Sequence, residues 1–300
     1  MPSGVTPGPA DSPIELIVEG RSRDIAGFPV RRSLPIAARR SVGPFIFVDQ
    51  MGPHELAPGT GMDVPPHPHI GLATITYLFD GEIVHRDSIG SHQVIRPGDV
   101  NWMIAGSGVA HSERTPPALR ARGSRMLGLQ TWVALPRDQE EVAPSFEHHA
   151  QATLPLVERP GAALRVIAGT AYGRTAPTSV LAPTLYVHAQ LAAGAELVVD
   201  DEHLERAIYV VDGELACHGH AYGPATLLIL RPNTPVTVAA RTSTNLALLG
   251  GAPLDGPRHM WWNFVSTRQD RIEQAKAAWR DRRFATVAGD EIEFVPLPEH

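Results

Sequence analysis

The sequence predicts an all-β chain of two tandem modules that ends in a single α-helix, and three observations lead to this prediction. The 300 residues include 28 prolines and 27 glycines without a low-complexity run, which suits short strands joined by tight turns better than long helices. Short β-type runs separated by turn signals recur along the chain. The block YLFDGE at residues 77–82 recurs as YVVDGE at residues 209–214, and two related β modules in tandem explain such a repeat most simply.

The predicted strands fall into two sets, one on each side of a stretch that contains prolines and acidic residues. The first set comprises residues 14–18, 45–49, 73–79, 82–87, 93–95, 100–104 and 127–133. The second set begins near Leu164 and runs to about Leu249. A chain of this length accommodates two domains of roughly 100–150 residues each. We therefore predict four segments: a flexible N-terminal arm (1–12), a first module (13–140), a linker (141–160) and a second module (161–300).

A single clear helix is predicted near residues 267–284, at the end of the second module. Its apolar residues recur at i, i+3 and i+7, which is typical of one helix face: Ile272, Ala275 and Trp279. We expect this face to dock on a β-barrel, and the alternative is a helix that binds a partner protein. Ser266 and Gln269 have the spacing of a capping box, which predicts that Ser266 caps the helix.

Composition and charge exclude several classes of function. The net charge is −6, and the sequence has no basic stripe of the kind that binds nucleic acid. No run approaches the ~18 apolar residues of a membrane span, and the N-terminus lacks the features of a secretory signal. The single cysteine, Cys217, is typical of a reducing compartment. We therefore expect a cytoplasmic protein without direct nucleic-acid or membrane binding.

Two pairs of side chains predict a metal site in the first module. His67 and His69 stand two residues apart, as do His111 and Glu113. Residues at i and i+2 of a strand point to the same face of the sheet, so two such pairs on neighbouring strands bring four ligands to one point. Three neutral imidazoles and one carboxylate suit a first-row divalent ion, and this reasoning leaves Fe, Mn, Ni, Cu and Zn open.

The internal repeat tests whether the fold itself requires these ligands. Alignment on the repeated block matches His67 with Val199 and His69 with Asp201. Counting onward from the two Arg-Pro turns sets Leu246 and Leu248 against the second pair. The second module has therefore lost the ligands, and we expect one metal ion, bound in the first module.

Residues 67–113 (HPHIGLATITYLFDGEIVHRDSIGSHQVIRPGDVNWMIAGSGVAHSE) closely resemble the signature of the pirin family within the cupin superfamily. Residues 250–284 also resemble the C-terminal module of pirin-like proteins. The likeness extends from about Gly43 to Pro298 and implies two tandem cupin barrels of the jelly-roll type, with iron(II) in the first. The ligands that it implies are His67, His69, His111 and Glu113.

The resemblance also implies residues around the metal. The family places Asp49 and Gln130 beside the ion, where they can fix an imidazole tautomer or hydrogen-bond a ligand; ordinary polar residues of the barrel interior are the alternative. Val64 precedes the ligands and is expected either to line the pocket or simply to pack. Many pirins have an arginine directly after the HxH pair, whereas this chain has Ile70, which makes the pocket mouth less cationic.

Some pirin-like proteins resemble quercetinases, which implies a metal-dependent dioxygenase that cleaves a flavonol-like aromatic substrate with O2. Glu113 is then both a metal ligand and the candidate general base for the substrate hydroxyl. The resemblance also implies a second function, an iron-dependent regulatory protein that binds a transcriptional or metabolic partner without turnover. A third alternative is an isomerase that uses the ion as a Lewis acid.

One further motif is assigned no function at this point. His85-Arg86-Asp87 matches the catalytic triplet of protein kinases, but it lies in a predicted hairpin. Neither the glycine-rich loop nor the strand lysine of those enzymes accompanies it.

Overall fold

The structure, a computed structural model, describes residues 4–25 and 27–299. Its elements up to residue 149 are β1 (Val5–Pro7), β2 (Ile14–Glu19), β3 (Arg21–Ile25), β4 (Phe28–Leu34), β5 (Phe45–Leu56), β6 (Asp63–His69), β7 (Leu72–Asp80), β8 (Ile83–Asp87), β9 (His92–Ile95), β10 (Val100–Ile104), β11 (Val109–Arg114), α1 (Pro117–Arg122), β12 (Ser124–Ala134) and β13 (Ser145–His149). No helix in the described ranges is long and apolar enough to cross a membrane.

A 3₁₀ turn at Gln151–Thr153 leads into the second half of the chain. Its elements are β14 (Leu156–Arg159), β15 (Ala162–Ala171), β16 (Arg174–Thr175), β17 (Thr184–Leu191), β18 (Glu196–Val199), β19 (Glu205–Asp212), β20 (Leu215–Cys217), β21 (His220–Tyr222), β22 (Thr226–Leu230), β23 (Val236–Ala240), β24 (Thr244–Gly251), β25 (His259–Trp261), β26 (Phe264–Ser266) and α2 (Gln269–Arg280). The all-β prediction with a C-terminal helix is confirmed, and the short helix α1 is an addition to it.

The chain divides into two compact units, each built from discontinuous parts of the sequence. Unit one comprises residues 1–22, 31–50 and 152–253, and unit two comprises residues 23–30, 51–151 and 254–300. Helix α2, which follows the second repeat in sequence, therefore belongs to the same unit as β6 and β11. The boundaries 13–140 and 161–300 stay predictions, because they describe the two repeats rather than these units.

The segments predicted as an arm and a linker contain strands. Within residues 1–12, β1 pairs with β2, while residues 1–3 lie outside the described part of the chain. Within residues 141–160, β13 pairs with β10, and β14 pairs with β15. These short segments satisfy backbone N–H and C=O groups by pairing with a sheet, which composition alone does not reveal.

Unit one consists of two sheets and a continuous apolar core. One sheet has the order β1-β2-β22-β19-β24-β17-β15-β14, with β16 paired to β15, and the other has the order β18-β23-β20-β21. Buried aliphatic side chains from both sheets form one cluster that includes Val199, Val236, Val238, Leu246 and Leu248. Apolar packing therefore fills the interior of this unit.

Unit two contains the four-stranded sheet β6-β11-β8-β9 and most of the sheet β13-β10-β7-β12-β5-β4-β3. The order β6-β11-β8-β9 matches β18-β23-β20-β21 of unit one, strand for strand. The strand equivalent to β11 is therefore β23, and the predicted equivalence of the two Arg-Pro turns is wrong. Arg96-Pro97 precedes β10, whereas Arg231-Pro232 follows β22, the strand equivalent to β10.

The strand equivalence therefore sets other residues of the second module against His111 and Glu113. β23 carries Val236 and Val238, and Val236 lies directly opposite Val199 of β18. In unit two, β11 is equivalent to β23 and carries His111 and Glu113, and β6 is equivalent to β18 and carries His67 and His69. The strands β18 and β23 therefore carry aliphatic core residues at these positions, and a single metal ion in the first module stays a prediction.

Helix α2 packs with its apolar face against unit two, as predicted. The buried cluster at this contact contains Ile70, Ala110, Phe264, Ile272, Ala275, Trp279 and Val287. The capping prediction is wrong, because Ser266 ends β26 and the helix begins at Gln269. The Ser266 hydroxyl instead donates to Glu140 at 2.8 Å and accepts the Arg268 N–H at 3.0 Å.

After α2, residues 281–297 form what we call the C-terminal strap, which contacts the ligand strands. Arg114 of β11 donates two hydrogen bonds to Asp290, at 2.8 and 2.7 Å. The Val295 N–H donates to the Pro66 carbonyl of β6 at 2.9 Å, and the Trp279 indole donates to the Val295 carbonyl. Because Arg114 alternates with His111 and Glu113 along β11, its contact with Asp290 lies on the opposite face of the sheet.

Candidate metal centre

The three histidines predicted as ligands meet in the interior of unit two. β6 carries His67 and His69, β11 carries His111, and His111 lies directly opposite His67 in the ladder. All three side chains are buried, as the i, i+2 spacing on strands predicts. One ring nitrogen from each residue lies within 4.8 Å of the other two, which is the separation expected of ligands that share one ion.

The pairing of β6 with β11 is irregular beside these residues. His111 lies opposite His67, whereas Glu113 lies opposite Val64, so β6 has one more residue than β11 in this interval. The extra residue falls at Pro65-Pro66, which lack the N–H groups of a regular ladder. The Pro65 carbonyl accepts a hydrogen bond from His67 Nδ1 at 2.9 Å. The β-bulge thus orients the His67 ring.

The hydrogen bonds leave nitrogen lone pairs that fit a metal ion. Because His67 Nδ1 donates to a carbonyl, its Nε2 carries the lone pair. His69 Nε2 and His111 Nε2 face each other at 3.1 Å. Two such nitrogens repel unless a proton or a cation lies between them. The donor set therefore fits a first-row divalent cation.

Burial keeps the three imidazoles in the neutral form that binds metals. Burial lowers the pKa of His67 from 6.5 to about 4. It also lowers the pKa values of His69 and His111 well below 6.5, and the neighbouring imidazoles add to the effect. At pH 7 a metal ion therefore need not displace a proton from the cluster.

Metal-free protein is expected to lose stability as the pH falls from about 6.5 towards 4. The pKa of His67 is lowered on folding, so below pH 6.5 the unfolded state takes up a proton that the folded state does not. Above that pH the free energy of unfolding keeps its full value. By pH 4, proton uptake by His67 in the unfolded state alone lowers it by about 3 kcal/mol. Urea unfolding in EDTA at pH 7.5, 6 and 5 measures the loss. A His67→Val variant should show a smaller loss, and an identical pH dependence would contradict this assignment.

Glu113 lies beside the three-histidine cluster in the same interior. It is buried and lies opposite His85 of the neighbouring strand β8. Burial raises the pKa of Glu113, and His85 and the Thr76 hydroxyl partly offset this effect. The Thr76 hydroxyl lies 3.4 Å from Glu113 Oε1. Coordination by Glu113 stays a prediction.

Two other predicted residues lie close to Glu113. The Thr76 hydroxyl donates to Gln130 Oε1 at 2.8 Å, so one hydroxyl connects Gln130 with Glu113. Val64 is buried and lies opposite Glu113 across the ladder. Their roles towards a metal or substrate stay predictions.

Asp49 and Ile70 have other partners. The Asp49 carboxylate, in unit one, accepts hydrogen bonds from Nε and Nη2 of Arg32 at 2.8 and 2.7 Å. Ile70 packs in the apolar cluster with Phe264 of β26 and Ile272 of α2. A role at the metal or at the pocket stays a prediction for both.

The sequence reasoning missed a fourth histidine at the site. His85 Nδ1 lies 3.4 Å from His111 Nδ1, and His85 Nε2 lies 3.0 Å from Asp87 Oδ2. His85 stacks on Phe146, and the indole of Trp132 meets the His69 ring edge to face. The signal was present, because His85 and Asp87 form a third i, i+2 pair. Its meaning depends on the pairing of β8 with β11, which the motif does not reveal.

Comparisons with known proteins agree with this architecture. The family model described as Pirin matches residues 27–133, and the model described as Pirin C-terminal cupin domain matches residues 186–285. A solved quercetin 2,3-dioxygenase from Acinetobacter baumannii is similar, with a TM-score of 0.89 and 29% identity, covering 99% of this chain and 96% of that chain. These matches confirm the predicted tandem cupin fold.

Two curated relatives cover nearly the whole chain. A pirin-like protein of Caulobacter vibrioides is 48% identical over 95% of this chain and 100% of the relative. A Pseudomonas aeruginosa protein with the provisional name quercetin 2,3-dioxygenase is 36% identical over 94% of this chain and 90% of the relative. The family matches and these identities show that the chain belongs to the pirin family.

Proposed function

We propose that this protein binds one iron(II) ion through His67, His69, His111 and Glu113 and cleaves a flavonol-like aromatic substrate with O2. The observation that carries the proposal is the buried triad of neutral imidazoles, whose ring nitrogens lie within 4.8 Å of one another. Iron(II), when bound, supplies the redox chemistry that reaction with O2 needs. The Acinetobacter quercetin dioxygenase, similar over nearly the whole chain, supports the substrate class.

The residues around the triad suit a weakly acidic aromatic substrate. Glu113 is the candidate general base, because a buried carboxylate with a raised pKa accepts a proton from a substrate hydroxyl more readily than a solvated one does. The Thr76 hydroxyl lies 3.4 Å from this carboxylate and 2.8 Å from Gln130 Oε1. Trp132, edge to face with His69, provides an aromatic wall beside the ligands.

Turnover under air and under nitrogen tests this proposal. Protein reloaded with Fe, Mn, Ni, Cu or Zn is mixed with a flavonol, and oxygen uptake and loss of the flavonol absorbance are followed together. We expect equimolar consumption of O2 and flavonol with iron and no reaction under nitrogen. If iron-loaded protein neither takes up O2 nor bleaches a flavonol, the dioxygenase proposal is wrong. A partner retained only by metal-loaded protein would then favour the regulatory function.

Replacing Glu113 with glutamine is expected to lower turnover about a hundredfold, because the amide cannot accept the substrate proton. The three histidines remain, so some metal should still bind. Oxygen uptake per bound metal measures the effect. The matched control is Glu82→Gln, at a part-exposed carboxylate in an ion pair with Arg96, which should leave turnover unchanged. Full activity of Glu113→Gln would exclude the general-base role.

We also propose a cytoplasmic location. The single cysteine, Cys217, is buried and free, which is consistent with a reducing compartment. Fractionation of cells that produce the protein from its own gene tests this location, and recovery from an exported fraction would contradict it.

A further inference from the structure

A hydrogen-bonded chain of three buried side chains ends at the metal triad. It runs from Asp87 to His85, at 3.0 Å, and from His85 to His111, at 3.4 Å. The three side chains lie on adjacent strands, because Asp87 is directly opposite His111 in the β8–β11 ladder. All three are at most 3% exposed, so water does not compete for these hydrogen bonds.

The direction of each hydrogen bond follows from the first residue. Asp87 Oδ1 accepts the backbone N–H groups of Ile89 and Ser91, at 3.1 and 2.8 Å. Its other oxygen, Oδ2, faces His85 Nε2. Two backbone N–H donors stabilise the ionised form of the Asp87 carboxylate. An ionised carboxylate has no hydrogen to donate, so His85 Nε2 carries the proton.

The position of the hydrogen on the His85 ring then determines the position of the hydrogen on His111. In a neutral imidazole with hydrogen on Nε2, Nδ1 is an acceptor. His85 Nδ1 faces His111 Nδ1, so His111 Nδ1 must be the donor. The lone pair of His111 then lies on Nε2, the nitrogen that faces His69. One carboxylate thus determines which nitrogen of a metal ligand carries hydrogen.

We propose that Asp87 and His85 are positioning residues that fix the tautomer of His111, so that Nε2 is the atom presented to the metal. This inference rests on the proposed metal site and adds two residues that the ligand motif does not contain. Partners that orient a ligating histidine commonly change metal affinity 10–100-fold when they are replaced.

Replacing Asp87 with asparagine reverses the chain of hydrogen bonds. The two backbone N–H groups hold the amide oxygen on the Oδ1 side, so the amide nitrogen takes the place of Oδ2. That nitrogen donates, which moves the His85 hydrogen from Nε2 to Nδ1. The new N–H then faces His111 Nδ1 and favours hydrogen on His111 Nε2, where it blocks the metal. We expect Asp87→Asn to weaken Zn2+ binding about 10–100-fold.

Replacing His85 with phenylalanine separates this effect from simple loss of structure. Phenylalanine keeps an aromatic ring that can stack on Phe146, but it can neither donate nor accept the hydrogen bonds of His85. His111 then lacks a partner, yet nothing forces hydrogen onto its Nε2. We expect His85→Phe to weaken Zn2+ binding less than Asp87→Asn does. The double variant should match His85→Phe alone, because the amide introduced at position 87 can no longer act on His111.

The test combines Zn2+ affinity, measured by chelator competition, with ¹H–¹⁵N NMR of the imidazole nitrogens, which reads each tautomer. The matched control is Asp99→Asn, a buried carboxylate that also accepts two loop N–H groups, from Arg96 and Gln151. It should leave the His111 signals and Zn2+ affinity unchanged. The proposal requires hydrogen on His111 Nδ1 in the wild type and on Nε2 in Asp87→Asn.

Wild-type tautomers in the opposite sense, or additive losses in the double variant, would overturn the proposal. Should Asp87→Asn fail to fold, the wild-type spectrum still decides the tautomer, and His85→Phe still tests its effect on affinity. A wild-type protein without Zn2+ affinity would instead refute the metal site. The tautomer of His111 in metal-free protein remains readable in that case, so the two failures are distinguishable.

Discussion

Replacing both His67 and His111 with valine is expected to abolish metal binding without unfolding the protein. The change leaves one of the three imidazoles. We therefore expect the affinity for metal to fall by more than ~100-fold, which is more than the usual effect of replacing a residue that only orients a ligand. Valine is the residue that the second module has on the equivalent strands, at Val199 and Val236. Elemental analysis of purified protein and Zn2+ titration measure the loss.

Stability separates this prediction from a simple folding defect. In EDTA the double variant should unfold at no lower a temperature than the wild type, because it removes buried imidazoles whose pKa values are lowered by burial. The control is His220→Val, at an exposed position, which should retain all of the metal. Undiminished metal content in the double variant would show that the ligands lie elsewhere.

Replacing Trp279 with alanine is expected to destabilise the protein by about 3–5 kcal/mol, the usual range for a buried tryptophan. The indole is 8% exposed and packs in the cluster that contains Ile70 and Phe264. Its N–H also donates to the Val295 carbonyl at 2.9 Å, and this bond is lost as well. Urea unfolding of metal-free protein at pH 7.5 measures the effect without a contribution from bound metal.

The matched control lies on the exposed side of the same helix. Gln274→Ala changes a solvated residue and should alter stability by less than about 0.5 kcal/mol. Trp279→Phe keeps part of the apolar contact and should fall between the two. If Trp279→Ala were as stable as the wild type, helix α2 would contribute little to the fold of unit two.

The cluster of His67, His69 and His111 could be predicted because its pattern is local. A spacing of two residues on a strand determines a common face whatever the strand pairs with, so the sequence alone predicted that His67 and His69 share a face, as do His111 and Glu113. The buried face of α2 was predictable for the same reason, since Ile272, Ala275 and Trp279 share a face through helical periodicity alone.

The remaining features depend on pairing between distant segments. His85 matters because β8 lies beside β11, and no motif of three residues contains that information. The two Arg-Pro turns are alike in sequence. However, Arg96-Pro97 precedes β10, whereas Arg231-Pro232 follows β22, the strand equivalent to β10. The sequence predicts that Ser266 caps α2, but its hydroxyl donates a hydrogen bond to Glu140, which lies 126 residues earlier.

The contact between Arg114 and Asp290 joins residues 176 positions apart. During synthesis, strands β6 and β11 leave the ribosome long before the strap does. For most of translation their solvent-facing side is therefore uncovered, and the second barrel is made before the first is finished. The sheet that carries the three histidines is thus completed only after the strands of the second barrel have been made.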